Sequence, residues 1–256
     1  MTQTLANFAQ AHDPDRFLAA LFASQARREA LFTLIAFNHE LARAREVASQ
    51  PMLALIRLQW WREVVEGARR QHEVATPLRH AIDAGLFQPD DLLSMIAARE
   101  HEADDEMPDL ATWNRYVEGT AGGFAVAAGR MLGANEAQLQ RLRSLGAAYG
   151  IAGQIALVPT LARRERCQLP ADLLQANGLT PFHVIQRPES AEPVLAELAQ
   201  QGLARIEAAG GRFPRHLIAA ALPTVLARRD LRRRHRHRLI SDKLAVIKAA
   251  LTSRIP

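Results

Sequence analysis

The sequence predicts an all-α protein, and three observations carry that prediction. Apolar residues recur at three- and four-residue spacing along most of the chain, which places them on one face of a helix. Prolines such as Pro51 and Pro89 stand at the starts of periodic segments, where the missing N–H has no intrahelical partner to lose. No segment alternates apolar and polar residues as a half-buried strand would.

Phe17, Leu21, Leu31, Leu34, Ile35 and Leu41 define helical faces between Arg16 and Val47, and the break from Ala23 to Arg27 divides that stretch into two helices. Pro51 begins a helix through Leu55, Leu58, Trp60, Trp61, Val64 and Val65, and Pro89 begins another after a stop at Gly85, running to about Glu106. Further helices are expected over 109–133, 136–165, 191–209, 214–234 and 241–253. Leu169-Pro170 and the proline-rich stretch from Gly178 to Pro193 read as connections.

With 256 residues, 48% of them hydrophobic, the chain can bury one large core. One domain over 1–256 is expected, with residues 1–14 a loose N-terminal segment, since neither a repeat nor a low-complexity linker divides the sequence. Cys167 is the only cysteine, which excludes an internal disulfide and fits a reducing compartment. Residues 1–12 lack the apolar core of a signal peptide, and no uninterrupted apolar run reaches the roughly 20 residues of a membrane span. Any membrane contact is therefore expected to be peripheral. Lys243 and Lys248 are the only lysines among the 32 basic residues, a bias that reads first as high-GC coding and only second as a functional arginine surface.

Several motifs resolve into structural roles. Gly119-Thr120-Ala121-Gly122-Gly123, with Gly129 and Gly133, follows no strand and meets neither phosphate-loop nor dinucleotide spacing, so a closely packed helix is expected. His72, His80, His101, His183 and His216 lack metal-ligand spacing and read as surface or capping residues. Asp104-Asp105-Glu106 reads as a solvated helix end, because adjacent carboxylates share a magnesium ion only if the backbone turns them toward it. No serine has a nucleophile-elbow context.

The strongest charge feature is the run from Arg228 to Arg238, which would attract phosphate on nucleic acid, anionic lipid or a diphosphate. Nucleic acid is disfavoured, since no aromatic residue interleaves with the arginines for base stacking. An anionic membrane surface and a solvated helix end remain.

A family resemblance spans Phe17 to Leu251. Arg27 through Phe37 resembles the first core helix of squalene and phytoene synthases, and Leu58-Gln59-Trp60-Trp61-Arg62-Glu63 resembles their tryptophan-rich helix. Tyr116, Ala121-Gly122 and Arg130-Met131-Leu132-Gly133 are similar to the family's central helix, and Leu169 to Leu174 to its leucine-proline segment. The order and spacing of these segments imply the isoprenoid (terpenoid) synthase fold, a helical bundle around a central cavity.

In active members of that family two aspartate-rich helices hold magnesium ions that grip a prenyl diphosphate. Magnesium prefers about six oxygen ligands, and ionisation requires the departing diphosphate's charge to be neutralised. Laid on the first motif, this sequence offers Ala42, Arg43 and Glu46; the second falls on Leu157 and Leu161, with Pro159 between them to kink or end the helix. No aspartate occurs between Ala111 and Ala171, so a register shift does not restore the second metal site.

The departures resemble one branch of the family, that of the mitochondrial complex I assembly factors. Ala36-Phe37-Asn38-His39-Glu40-Leu41-Ala42, Arg57-Leu58-Gln59-Trp60-Trp61, Arg99-Glu100 with Asp104-Asp105, and Gly150-Ile151 with Pro159 carry that likeness. It implies a catalytically degenerate protein without cofactor that serves biogenesis of respiratory complex I or binds an isoprenoid or lipid. The partners it implies are a complex I subunit or assembly intermediate and such a ligand; the charge of Arg228–Arg238 adds an anionic membrane surface as an expected partner. With no Arg-rich transit peptide ahead of Phe17, a bacterial relative is expected, cytoplasmic or peripheral on the inner face of the cytoplasmic membrane. The alternative is a divergent magnesium-dependent farnesyl or geranylgeranyl diphosphate transferase. No catalytic residue or metal ligand is assigned; Asn38, Glu40, Arg43, Glu46, Arg57 and Gln59 are the candidate cavity and ligand-binding residues. Trp60 and Trp61 are expected in the core rather than on a ligand, and a solvated Glu40–Arg43 pair is the alternative role for those two residues.

Overall fold

Side-chain caps set where several helices begin. In the computed structural model, which describes residues 4–48, 50–104, 106–233 and 238–256, Thr4 accepts from the Asn7 amide to start α1 (Leu5–His12) and Asp13 caps α2 (Pro14–Ala20). From Thr4 onward the segment expected to be loose is helical and packed: Phe8 and Ala9 are buried, and α1 lies against α3 (Gln25–Glu46); residues 1–3 lie outside the described residues. An eight-residue helix has too few apolar repeats to declare itself in the sequence, but tertiary packing stabilises it.

Pro51 and Pro89 occupy first-turn positions of α4 (Pro51–Glu66) and α6 (Pro89–Glu100), as expected, with α5 (Ala75–Asp83) between them. Gly85 stops α5 with φ 71°, a left-handed conformation that glycine adopts freely. Helix α6 ends six residues before the expected Glu106, because the chain turns inward and buries Glu102. Asp104 and Glu106 are exposed; Asp105 lies outside the described residues.

The expected helix over 109–133 consists of α7 (Leu110–Val117), a π-helical turn (Glu118–Gly122) and α8 (Gly123–Met131). The turn lies where α9 (Glu136–Ala162) crosses, and the crossing has room only for glycine. A Cβ on Gly122 would sit 2.9 Å from the Arg143 carbonyl oxygen, and one on Gly150 2.9 Å from the Ala121 Cβ. The glycine motif therefore serves close packing, as its context predicted.

Helix α9 starts at a reciprocal Asn135–Gln138 capping box and runs 27 residues. Pro159 removes one helical hydrogen bond, and the helix stops a turn later at Ala162, with Glu165 left-handed at φ 57° in the following turn. By length and composition α9 could cross a bilayer, more apolar than the sequence reading allowed, yet more than half of its apolar window is buried inside the protein. Helices α8, α12 (Glu192–Ala209) and α14 (Pro223–Arg233) pack around it.

Short helix α10 (Ala171–Ala176) follows the expected Leu169-Pro170 connection, α11 (Pro181–Gln186) lies within the stretch expected as a connection from Gly178 to Pro193, and α13 (Ile218–Ala221) precedes α14, which Pro223 restarts within the expected 214–234 helix. His183 closes the capping box of α11, and His72 Nδ1 accepts from the Val74 amide, fulfilling the capping role expected of them. Finally α15 (Ile240–Thr252) leads to a two-residue antiparallel pairing of β1 (Gly211–Arg212) with β2 (Arg254–Ile255). One contiguous apolar cluster reaches from Phe8 to Ile255, with Phe37, Trp113 and Tyr116 among its largest fully buried side chains.

Candidate functional site

Helical phase divides the sequence-predicted residues of α3 between two faces. Asn38, Ala42 and Glu46 recur every fourth residue and share one face; Glu40, Arg43 and Val47 share another. The first face meets a buried polar network; the second borders a surface groove.

The network is centred on Arg99, in the last turn of α6. Its Nη1 donates to Glu102 Oε1 at 2.5 Å and its Nη2 to Asn38 Oδ1 at 3.5 Å. The Tyr116 hydroxyl donates to the same Glu102 oxygen and accepts from Gln154 Nε2 of α9 at 3.0 Å. Arg166 Nη2 donates to the Glu102 carbonyl oxygen at 2.8 Å. Burial works against the charge on Arg99, but Glu102, Tyr116 and Glu46 outweigh it and hold its pKa above the ordinary value. Burial, followed by the Glu102 carboxylate, pushes the Tyr116 phenol up, so it stays a hydrogen-bond donor at neutral pH. Helices α3, α6, α7 and α9 are thereby tied together around one guanidinium.

On α9 the second-motif positions Leu157 and Leu161 follow Gln154 at three and seven residues, a common helical face. Leu161 borders a crevice with Val158, Cys167, Leu169 and Val184 that has no room for a water molecule. Leu157 is not part of that crevice and is 38% exposed. Neither side chain can ligate a metal, and Glu46 and Glu102 act on the Arg99 cation instead. Among the described residues no three His, Cys, Asp or Glu side chains converge as metal ligands would. This donor set does not fit magnesium.

The groove between α3 and α4 has a volume of about 420 Å³. Glu40, Arg43 and Val47 of α3 line one side, and Ile56, Arg57, Trp60 and Trp61 of α4 the other, with the His72 ring against both tryptophans. Arg43 pairs with Glu40 at 3.6 Å. Trp61 is buried and packs edge-on against Phe37 at 5.4 Å, a core residue that also lines the groove. The structure therefore brings Glu40, Arg43 and Arg57 together, and Asn38 and Glu46 around Arg99. Gln59 is exposed outside the groove lining.

Sequence reasoning missed Arg99, Glu102, Tyr116, Gln154 and Arg166 as a constellation. Arg99 and Tyr116 lay inside the motifs that carried the family likeness, and Gln154 shares the face of the second motif; polarity on those faces was the available signal.

Beside the network, His39 packs against His12 with ring centroids 4.3 Å apart and planes tilted by 32°, and contacts Phe8 edge-on. Burial, then the charges of His12 and Arg43, lower its pKa from 6.5 to about 4. The folded state thus excludes a proton that the unfolded chain accepts: stability is intact above about pH 6.5 and declines as pH falls toward 4. Urea titrations at pH 7 and pH 5 are expected to show a smaller loss for His39→Gln than for the parent protein.

The arginine run is not a continuous free surface. Arg229 and Arg233 contact Asp242 at 2.5 and 3.1 Å, and Arg238 holds Asp15 and Asp230, both at 2.5 Å. Asp242 is fully buried. Burial opposes its ionisation, but the Leu239 amide and Arg229 keep its pKa below the usual range. Arg234 to His237 lie outside the described residues.

The fold and this site can be compared with known proteins. A dehydrosqualene synthase crystal structure with bound ligand superposes with a TM-score of 0.79 at 14% identity, covering 97% of this chain and 94% of the other. Squalene synthase HpnC from Alicyclobacillus acidocaldarius gives 0.71 at 12% identity, with 97% and 92% covered. These likenesses show the isoprenoid synthase fold. In sequence, the NADH dehydrogenase (ubiquinone) complex I assembly factor 6 proteins of Homo sapiens and Rattus norvegicus are 25% and 27% identical over 197 and 225 residues, covering 74% and 83% of this chain. The alignments span 59% and 67% of those relatives' lengths. The squalene/phytoene synthase profile matches residues 9–246, from α1 to α15 and through both altered motif helices, and the chain accordingly belongs to the squalene/phytoene synthase family.

Proposed function

We propose that this protein uses the isoprenoid synthase fold without prenyl-transfer chemistry or a magnesium cofactor, as a biogenesis factor acting on a respiratory complex I subunit or assembly intermediate. The observation that carries this reading is Arg99. A protein cation bonded to Glu102 and reaching Asn38 stands where the two motif helices are bridged, so charge neutralisation is built in rather than supplied by metal ions. Leu157 and Leu161 offer no compensating ligands. The similarity to assembly factors supports the role in biogenesis. The tryptophan-lined groove, polar at Glu40, Arg43 and Arg57, is suited to an isoprenoid or lipid chain with a polar end, or to a partner side chain.

Purified protein incubated with farnesyl or geranylgeranyl diphosphate and magnesium is expected to release no diphosphate above the protein-free control. Turnover abolished by Glu46→Ala would overturn the non-catalytic half of the proposal. Deletion of the gene is expected to reduce assembled complex I on native gels; normal assembly would overturn the other half.

A further inference from the structure

Helix α15 exposes the kind of side chain that helices usually bury. Ile240, Leu244 and Leu251 are 79%, 59% and 69% exposed, and Ile247 lies between them on the same face. Their spacing of four, three and four residues makes one straight stripe along the helix. Asp242, Val246, Ala249 and Ala250 on the opposite side are buried, so the orientation of the helix is fixed and the apolar stripe faces solvent.

Charge is arranged around this stripe. Lys243 and Lys248, the only lysines in the chain, are exposed on its two flanks. Their long stems suit a side chain that lies along an apolar phase and lifts its charge to the polar boundary. Beyond Lys248 opens a basin of about 900 Å³ lined by Arg212, Arg228, Arg232 and Arg254. No ion pair joins these four arginines to a carboxylate among the described residues, in contrast to Arg229, Arg233 and Arg238 of the same region. Among the described residues Glu207, in the adjoining hollow, is the one acidic side chain lining either cavity, and Pro256 lines both.

We propose that α15 and this basin form a docking surface for an anionic phospholipid bilayer, with the Ile240–Leu251 stripe entering the headgroup–acyl boundary and the basin arginines taking lipid phosphates. An amphipathic helix with basic flanks beside a cluster of arginines that no described carboxylate pairs has the chemistry of an interfacial membrane anchor. A protein partner or a second copy of this chain would explain the apolar stripe; the flanking lysines and the neighbouring arginines single out a surface both oily and negatively charged. This inference stands apart from the proposed role in biogenesis and survives its failure.

The test is flotation of the full chain with vesicles of phosphatidylcholine alone or containing about 30% phosphatidylglycerol, a density that gives a negative surface potential. Binding is expected only to the anionic vesicles and is expected to be lost at about 0.5 M salt, where screening is short-ranged. Arg228→Ala/Arg232→Ala/Lys248→Ala should weaken it about 100-fold, since each basic residue near the surface contributes about fivefold. Leu244→Asp/Leu251→Asp changes only exposed positions and should weaken it at least about tenfold, with circular dichroism confirming the retained helix content. Arg163→Ala/Arg164→Ala, at the end of α9, should leave binding within about threefold, because these residues lie outside the proposed surface. Equal binding to neutral vesicles, an equal loss with the Arg163/Arg164 variant, or unchanged binding by the Leu244/Leu251 variant would overturn the proposal. So would absence of vesicle binding together with a dimer that Leu244→Asp dissociates, which would assign the stripe to a second copy.

Discussion

Arg99→Ala is expected to lower the unfolding free energy by about 3–5 kcal/mol, the usual consequence of removing one partner from a buried ion pair. Glu102, 8% exposed, would keep its Tyr116 hydrogen bond but lose the cation that balances it, and Asn38 would lose its donor. Against a total of about 5–15 kcal/mol for a typical domain, such a loss threatens folding itself. Urea unfolding at pH 7 measures it. Adding Glu102→Gln should recover about 2 kcal/mol, because the second change removes the stranded charge while leaving an acceptor for Tyr116. A loss below about 1 kcal/mol for Arg99→Ala would mean that the network is solvated and not structural.

Gly146→Val is expected to cost about 3 kcal/mol, at the upper end of ordinary overpacking. A Cβ on Gly146 would approach the Ala121 carbonyl oxygen to 2.5 Å, the Ala125 Cβ to 2.7 Å and the Gly122 Cα to 2.9 Å. Two of these contacts are backbone atoms of the π-helical turn, so relief requires α9 to move away from α7 and α8. At about 2–4 °C per kcal/mol for a chain of this size, the melting temperature should fall by roughly 10 °C. Gly178→Ala is the comparison: it has open space but φ 70°, and should cost only about 1–2 kcal/mol through backbone strain. Equal effects of the two substitutions would show that the crossing is looser than its geometry indicates.

What was legible in the sequence depended on how locally each feature is determined. Helices α3, α9 and α12 were plain because their periodicity lasts through several turns, and Pro51 and Pro89 fixed two starts through the geometry of their own rings. Helices α1, α10 and α11 were not, since six to eight residues form helix only with the packing and caps that surround them. The altered metal motifs were legible because each lies on one helix. Sequence proximity misled at Asn38 and Glu40, two residues apart on opposite-facing parts of α3. The Arg99 network joins residues from Asn38 to Arg166, and no local pattern encodes such a meeting. Likewise, the arginine run displayed its charge but not its partners; Asp15 is 223 positions from Arg238.

That last separation has a consequence for the order in which the protein is completed. Asp15 receives Arg238 and the Tyr149 hydroxyl, so its partners come from the middle and the far end of the chain. At a synthesis rate of about 5–20 residues per second, Asp15 leaves the ribosome roughly 10–45 s before Arg238 follows. Contacts of α1 with α3 are local and can form early, but the charge closure between the first and last parts of the bundle waits for nearly the whole chain. The Asp15–Arg238 contact therefore forms only when the last nineteen residues, Arg238 to Pro256, have been made.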